Sequence, residues 1–315
     1  MAGIGIIVLK LRSGNAQHLG ARREQQDAFG FSDLDDQTLT AHGGILAALA
    51  DGMGGMALGR EAAQSTIATL LQHYAAKDPA TRPEVALQHA VQAANAAVNQ
   101  LTRSAGLNEG DAGATLVVVV VHEARLYWTA VGDSHLYLCR NGELAQLNLE
   151  HTVARQLWRE VAAGNLSRDD LLNDPEREML TSYLGLPELP ELDYNYRPLL
   201  LQPGDRLLLC SDGLYRMLAT ETIAALLTGD PQPAAARLVE EALNQQHPYQ
   251  DNVTAVILAC DEDTPPAPHP RYQRLFGLSA ALLLLAGFAV WLYWGSYSGY
   301  DLKVATPAQA AEQRP

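Results

Sequence analysis

The chain has 315 residues, 48% of them apolar, and a formal net charge of −14. This composition supports a packed core in one large domain or two small ones and excludes wholesale disorder. The acidic balance excludes a nucleic-acid partner, since phosphate backbones are bound by basic surfaces; bound metal ions can still supply positive charge locally.

In chain order, the opening stretch MAGIGIIVLKLRSG has too short an apolar run for a signal peptide and reads as the first strand of the domain. Residues from about 1 to 260 read as one unit of mixed strands and helices. Apolar runs with strand character recur at 45–50, 115–121, 126–131, 207–210 and 253–260. Between them, 60–74 and 84–103 repeat apolar residues every three or four positions, the helix period. Asn141-Gly142, between LYLCR and ELAQL, predicts a hairpin and hence antiparallel neighbours rather than a purely parallel sheet. The segment 151–196 is richer in charge and less regular, and reads as a surface excursion of short helices, a flap beside a site. Thr220 is placed to cap the short helix ETIAALL, and Asp230-Pro231 to start a helix through PAAARLVEEALNQQ. Cys139, Cys210 and Cys260 lie far apart beside apolar runs, which suits buried thiols in a reducing compartment and not a disulfide framework.

The C-terminal part breaks the soluble pattern. Residues 261–274 read as a Pro-rich, acidic linker. From Leu275 to Trp294 no residue is charged. At a helical rise of about 1.5 Å per residue this stretch is roughly 30 Å long, one bilayer core. Arg271 and Arg274 precede it, and Trp291, Tyr293, Trp294 and Tyr297 mark its far end. That arrangement predicts a single-pass transmembrane helix in the cytoplasmic membrane, with residues 1–260 on the cytoplasmic side and a short tail over 295–315.

Chemistry concentrates in five aspartates, each in a polar or small-residue turn bordering an apolar run: Asp27, Asp51, Asp133, Asp212 and Asp251. One such residue is ordinarily a turn former or helix cap. Five that converge would repel one another unless they were protonated or bound cations. The set offers only oxygen, from carboxylates and backbone carbonyls such as that of Gly52. This disfavours structural zinc and favours Mg²⁺ or Mn²⁺. Two such ions a few ångströms apart suit in-line attack of water on phosphorus.

The order of these motifs resembles the PP2C (PPM) family of metal-dependent protein serine/threonine phosphatases. The residues are Arg22-Arg23-Glu24-Gln25-Gln26-Asp27, then Asp51-Gly52-Met53-Gly54-Gly55, Gly132-Asp133-Ser134, Ser211-Asp212-Gly213-Leu214 and Asp251-Asn252-Val253-Thr254, with the weaker Gly113-Ala114-Thr115 among them. The resemblance covers roughly residues 15 to 260. It implies an α+β fold, an αββα sandwich of two mostly antiparallel sheets flanked by helices. It also implies a two-metal centre, with room for a third ion. Asp51 would bridge the two ions, the Gly52 carbonyl would be a further ligand, and Asp212 and Asp251 would hold one of them. Asp27 would act through water. Asp133 would hold the third ion with Asp212, Arg22 would bind the substrate phosphate, and Asn252 would fix the loop or a water. The implied substrates are phosphorylated cytoplasmic proteins, with a membrane Ser/Thr kinase as the partner that tethering would serve.

Two departures from the family pattern matter. Gln25 stands where Asn is common. Met53 stands where the animal branch carries its histidine acid, and Met56 where bacterial members often carry a histidine, so water would protonate the leaving oxygen. His151 aligns with a family histidine but reads as a structural residue. Two other readings compete. A non-catalytic interaction module would have little reason to retain Asp27, Asp51, Asp212 and Asp251 together. A tethered metal nuclease is opposed by the lack of a basic groove.

Overall fold

The computed structural model describes residues 9–53 and 58–262, which belong to one compact unit. The rest of the linker expected over 261–274, the expected span at 275–294, the tail and Met56 lie outside the described residues. In chain order the elements are β1 (Leu9–His18), β2 (Asp27–Phe31), α1 (Gln37–Gly43), β3 (Ile45–Asp51), α2 (Gly59–Ala75), α3 (Pro83–Ser104), β4 (Leu116–His122), β5 (Arg125–Val131), β6 (His135–Arg140), β7 (Glu143–Gln146), α4 (Val153–Ala163), α5 (Arg168–Leu172), β8 (Asp193–Tyr194), β9 (Leu199–Leu200), β10 (Arg206–Cys210), α6 (Asp212–Tyr215), α7 (Thr220–Leu226), α8 (Pro231–Asn244) and β11 (Val253–Glu262).

Period-two alternation builds the layers. In β4, Leu116, Val118 and Val120 face α2 and α3, while Val117, Val119 and Val121 face the other sheet. β11 divides in the same way: Val253, Ala255 and Ile257 pack with α8, and Val256, Leu258 and Cys260 pack between the sheets. Strands covered on both faces need apolar residues at every position, which is why these runs read as continuous rather than alternating. One sheet has the order β1-β11-β10-β6-β7; the other is β2-β3-β4-β5-β8, with β9 also paired to β5. Every pairing between named strands is antiparallel. The result is the four-layer α+β sandwich that the resemblance implied.

Local signals explain most boundaries. Asn141 (φ 54°) and Gly142 (φ 83°) are both left-handed, as the two-residue turn joining β6 to β7 requires. The Asp230 side chain accepts from the Gln232 amide to start α8 at Pro231. Thr220, expected as a cap, is instead the first residue of α7; Ala219 occupies the cap position without a side-chain bond. Both are exposed, so water can satisfy the amides that a cap would have taken. Asp261 and Glu262, expected to open the linker, instead close β11. Asp261 remains paired with Lys10 in the ladder and is held by Arg12 at 2.6 Å and Arg206 at 3.1 Å. The excursion over 151–196 carries α4 and α5. α4 buries no residue, and the segment is tied down by the Thr152–Leu180 bridge. All three cysteines are buried and free.

The layer between the sheets sets the spacing of everything at their ends. Leu258→Ala, at a fully buried position there, should cost about 2–5 kcal/mol in urea unfolding through the cavity it leaves.

Candidate active site

Antiparallel pairing brings alternate strand ends to one edge of the sandwich, and the five aspartates stand there. Asp27 opens β2 directly opposite Asp51, which closes β3. Cys210, the last residue of β10, pairs with both His135 and Ala255. Asp212, Asp133 and Asp251, each two residues beyond those positions or the ends of their strands, therefore share the same edge. Gly132, at φ 96°, makes the turn that presents Asp133.

Hydroxyls and amides fix the cluster. Asp27 is buried, and its Oδ2 accepts from Ser211 Oγ at 2.8 Å and Thr254 Oγ1 at 2.6 Å. Both donors come from the opposite sheet, so this carboxylate also joins the two layers. The Gln25 amide oxygen accepts from the Asp27 N–H at 3.0 Å, which gives that departure from the family pattern a working role. Thr115 Oγ1 accepts from the Asp51 N–H at 3.0 Å and pairs with Ser134 Oγ at 2.7 Å. Asn252 holds the loop that carries Arg22: its Oδ1 accepts from the Gln26 N–H and its Nδ2 donates to the Leu19 and Glu24 carbonyls. A Cβ on Gly52 would collide with the Gly59 and Gln26 carbonyls, and one on Gly213 with the Asn252 carbonyl, so both motif glycines permit close backbone approach. His151 is buried; its Nδ1 accepts from the Gly132 N–H at 3.1 Å, and burial lowers its pKa. Its neutral ring buttresses the Asp133 turn, in keeping with its reading as a structural residue.

The electrostatic cost is visible in the carboxyls. Burial drives the Asp51 carboxyl well above its ordinary value, and Asp27, Asp212, Asp133 and Asp251 add to the effect. Asp212 is pushed up to about 7 by burial and by Asp133, with Arg216 opposing. Burial raises Asp27, while the Thr254 and Ser211 hydroxyls hold it down; burial raises Asp133 against Arg216. Two buried oxygens, Asp27 Oδ1 and Asp212 Oδ1, have no hydrogen-bond partner among the described residues. A donor set of hard oxygens with unpartnered lone pairs fits a divalent cation. Among the described residues, no three His, Cys, Asp or Glu side chains close around one point.

The cations stand around the edge. Arg22 is half-exposed and reaches Asp251 Oδ2 through Nη2 at 2.6 Å. Sequence reasoning did not single out Arg216, which contacts Asp133, Asp212 and Glu178. Nor did it single out Ser211, Thr254, Thr115 and Ser134, although all four lie within the quoted motifs. A cleft of about 540 Å³, lined by Gln17, Gln25, Asp27, Ala28, Phe29, Arg60 and Gln64, flanks the cluster without including Asp51, Asp212 or Asp251.

A double antiparallel sandwich covered by helices, with a carboxylate cluster and an arginine at one sheet edge, defines a class of αββα proteins. The protein phosphatase 2C family model matches residues 15–253, and the chain belongs to that family. It is 36% identical over 217 residues to the serine/threonine protein phosphatase PstP of Mycobacterium tuberculosis, covering 68% of this chain but only 40% of that protein's length. It is 28% identical over 246 residues to the serine/threonine phosphatase Stp of Listeria monocytogenes, covering 76% of this chain and 92% of that one. The crystal structure of the PstP catalytic domain in complex with two manganese ions superposes with a TM-score of 0.63 at 31% identity, covering 81% of this chain and all of that one.

A carboxyl with a raised folded pKa adds stability at low pH and loses it as pH rises through the folded value, here about 7 for Asp212. In chelator, the melting temperature should therefore rise by a few degrees as pH falls from about 8 to about 6.5. Saturating Mn²⁺ should reverse the trend, because binding requires the ionised carboxylates.

Proposed function

We propose that this chain is a metal-dependent phosphatase that hydrolyses phosphoserine and phosphothreonine in proteins. The observation that carries the reading is the pair of unpartnered buried oxygens, Asp27 Oδ1 and Asp212 Oδ1, within a cluster whose charge is otherwise costly. Membership of the protein phosphatase 2C family and the two manganese ions of the PstP catalytic domain support it.

In this reading Asp51, Asp212, Asp251 and the Gly52 carbonyl hold two Mn²⁺ or Mg²⁺ ions, and Asp27 acts through water. When bound, the ions supply positive charge for the phosphoryl oxygens and lower the pKa of the attacking water. The remaining work falls to the chain's own groups. Arg22 uses only Nη2 toward Asp251 among the described residues, which leaves the rest of its guanidinium for an incoming phosphate. Asn252 keeps the Arg22 loop in register with Asp251. Met53 offers no proton, so the leaving oxygen takes its proton from water. Hydroxyl bonds from Ser211 and Thr254 oppose the rise that burial imposes on the Asp27 carboxyl and orient it, with both bonds on Oδ2.

Residues 275–294 anchor the chain in the cytoplasmic membrane, with the phosphatase domain facing the cytoplasm and phosphoproteins near the membrane as substrates. A membrane Ser/Thr kinase is the opposing enzyme that this placement fits. The uncharged stretch flanked by arginines and aromatics supports the anchor.

With Mn²⁺ or Mg²⁺ present, the purified chain should hydrolyse a phosphoaryl ester, and Asp51→Asn should reduce turnover to background. Metal-independent turnover, or an unimpaired Asp51→Asn variant, would sink the mechanism. In cell fractionation the full chain should require detergent for release and a chain lacking 275–294 should not; recovery of both in the soluble fraction would remove the anchor.

A further inference from the structure

Arg216 follows α6 directly and lies one helical turn beyond Asp212. One edge of its guanidinium faces the site: Nε stands 3.2 Å from Asp212 Oδ2 and Nη2 stands 3.3 Å from Asp133 Oδ2. The remaining nitrogen, Nη1, lies 2.7 Å from Glu178 Oε2, in the excursion between α5 and β8. The neighbouring side chains hold this arrangement in place. Tyr215 OH lies 3.4 Å from Asp133 Oδ2, and its ring stacks on His135 at 3.6 Å. His135 is fixed in turn by Glu150 and Tyr137, each at 2.7 Å.

A divalent ion between Asp133 and Asp212 would need the oxygens that this guanidinium already engages. A planar fork can meet three carboxylates at once. We propose that Arg216 is the resident cation of the Asp133–Asp212 edge. It takes the place of a further divalent ion there, directs metal loading to the side bounded by Asp51 and Asp251, and ties the excursion to the site through Glu178. Asp212 can serve both sides, because Oδ2 faces Arg216 while Oδ1 is unpartnered. Arg216 is thus a positioning residue that acts through the carboxylates. The proposal rests on the two-ion reading above.

Mn²⁺ titration of the detergent-solubilised full chain, followed by the electron paramagnetic resonance signal of free Mn²⁺, tests it. The wild-type chain should bind two ions, and Asp133→Asn should leave that number unchanged. Arg216→Met should gain one weaker ion, which Asp133→Asn in the same chain should remove. A third wild-type ion that Asp133→Asn abolishes would overturn the proposal, as would an Arg216→Met chain that binds only two. If Arg216→Met does not fold, the Asp133→Asn comparison decides by itself. A wild-type chain that binds no ion overturns the two-ion reading and the loading part of this proposal with it. Limited proteolysis reports on the tie whatever the metal content. Cleavage within 164–191 should be several-fold faster in Glu178→Gln, with the ion count unchanged. Equal cleavage rates in wild type and Glu178→Gln would overturn the tie.

Discussion

The molecule is organised around one costly arrangement, five aspartates gathered at a single edge of a β-sandwich. Like charges in a partly buried setting repel and are poorly solvated, so each carboxylate needs a compensating partner. Asp27 is satisfied on one oxygen by two hydroxyls, Asp133 and Asp212 share Arg216, and Asp251 meets Arg22. Asp51 lies among Asp27, Asp212, Asp133 and Asp251, and burial together with their charge drives it well toward its neutral form. The oxygens left without partners are the ones a hard cation would use, so the strain in the cluster and its proposed function have the same origin.

The frame makes this cluster by parity and direction alone. Antiparallel strands alternate their ends, and residues at or just beyond the ends of β3, β5 and β10 meet those at or just before the starts of β2 and β11. The hydroxyls of Ser211 and Thr254 cross from one sheet to the Asp27 carboxylate of the other. The core between the sheets and the polar edge are thereby coupled: a change in sheet spacing would move donors away from an acceptor that is expensive to leave unsatisfied.

The departures from the family pattern fall into two kinds. Gln25 replaces one supporting amide with another and still receives the Asp27 N–H. Met53 stands where the animal branch of the family carries a titratable group. Arg216, outside those positions, sets a fixed positive charge between Asp133 and Asp212 and links it to the surface excursion through Glu178.

Much of this was legible in the chain. The doubly covered strands β4 and β11 announced themselves as unbroken apolar runs, because residues buried on both faces leave no polar position. Asn141-Gly142 and Asp230-Pro231 marked a turn and a helix start because their backbone preferences are local. The motif order around Asp27, Asp51, Asp133, Asp212 and Asp251 pointed to the family and to a carboxylate site. Thr220 was misjudged because capping depends on where water can reach, and the end of β11 because Asp261 is held by arginines 249 and 55 residues away in sequence. Local pattern determined which segments are strands and helices and which residues carry charge at their ends. Only the tertiary structure decided which hydroxyl meets Asp27, which carboxylates Arg216 bridges and which oxygens remain free, because those pairings join residues from different strands whose approach is set by packing.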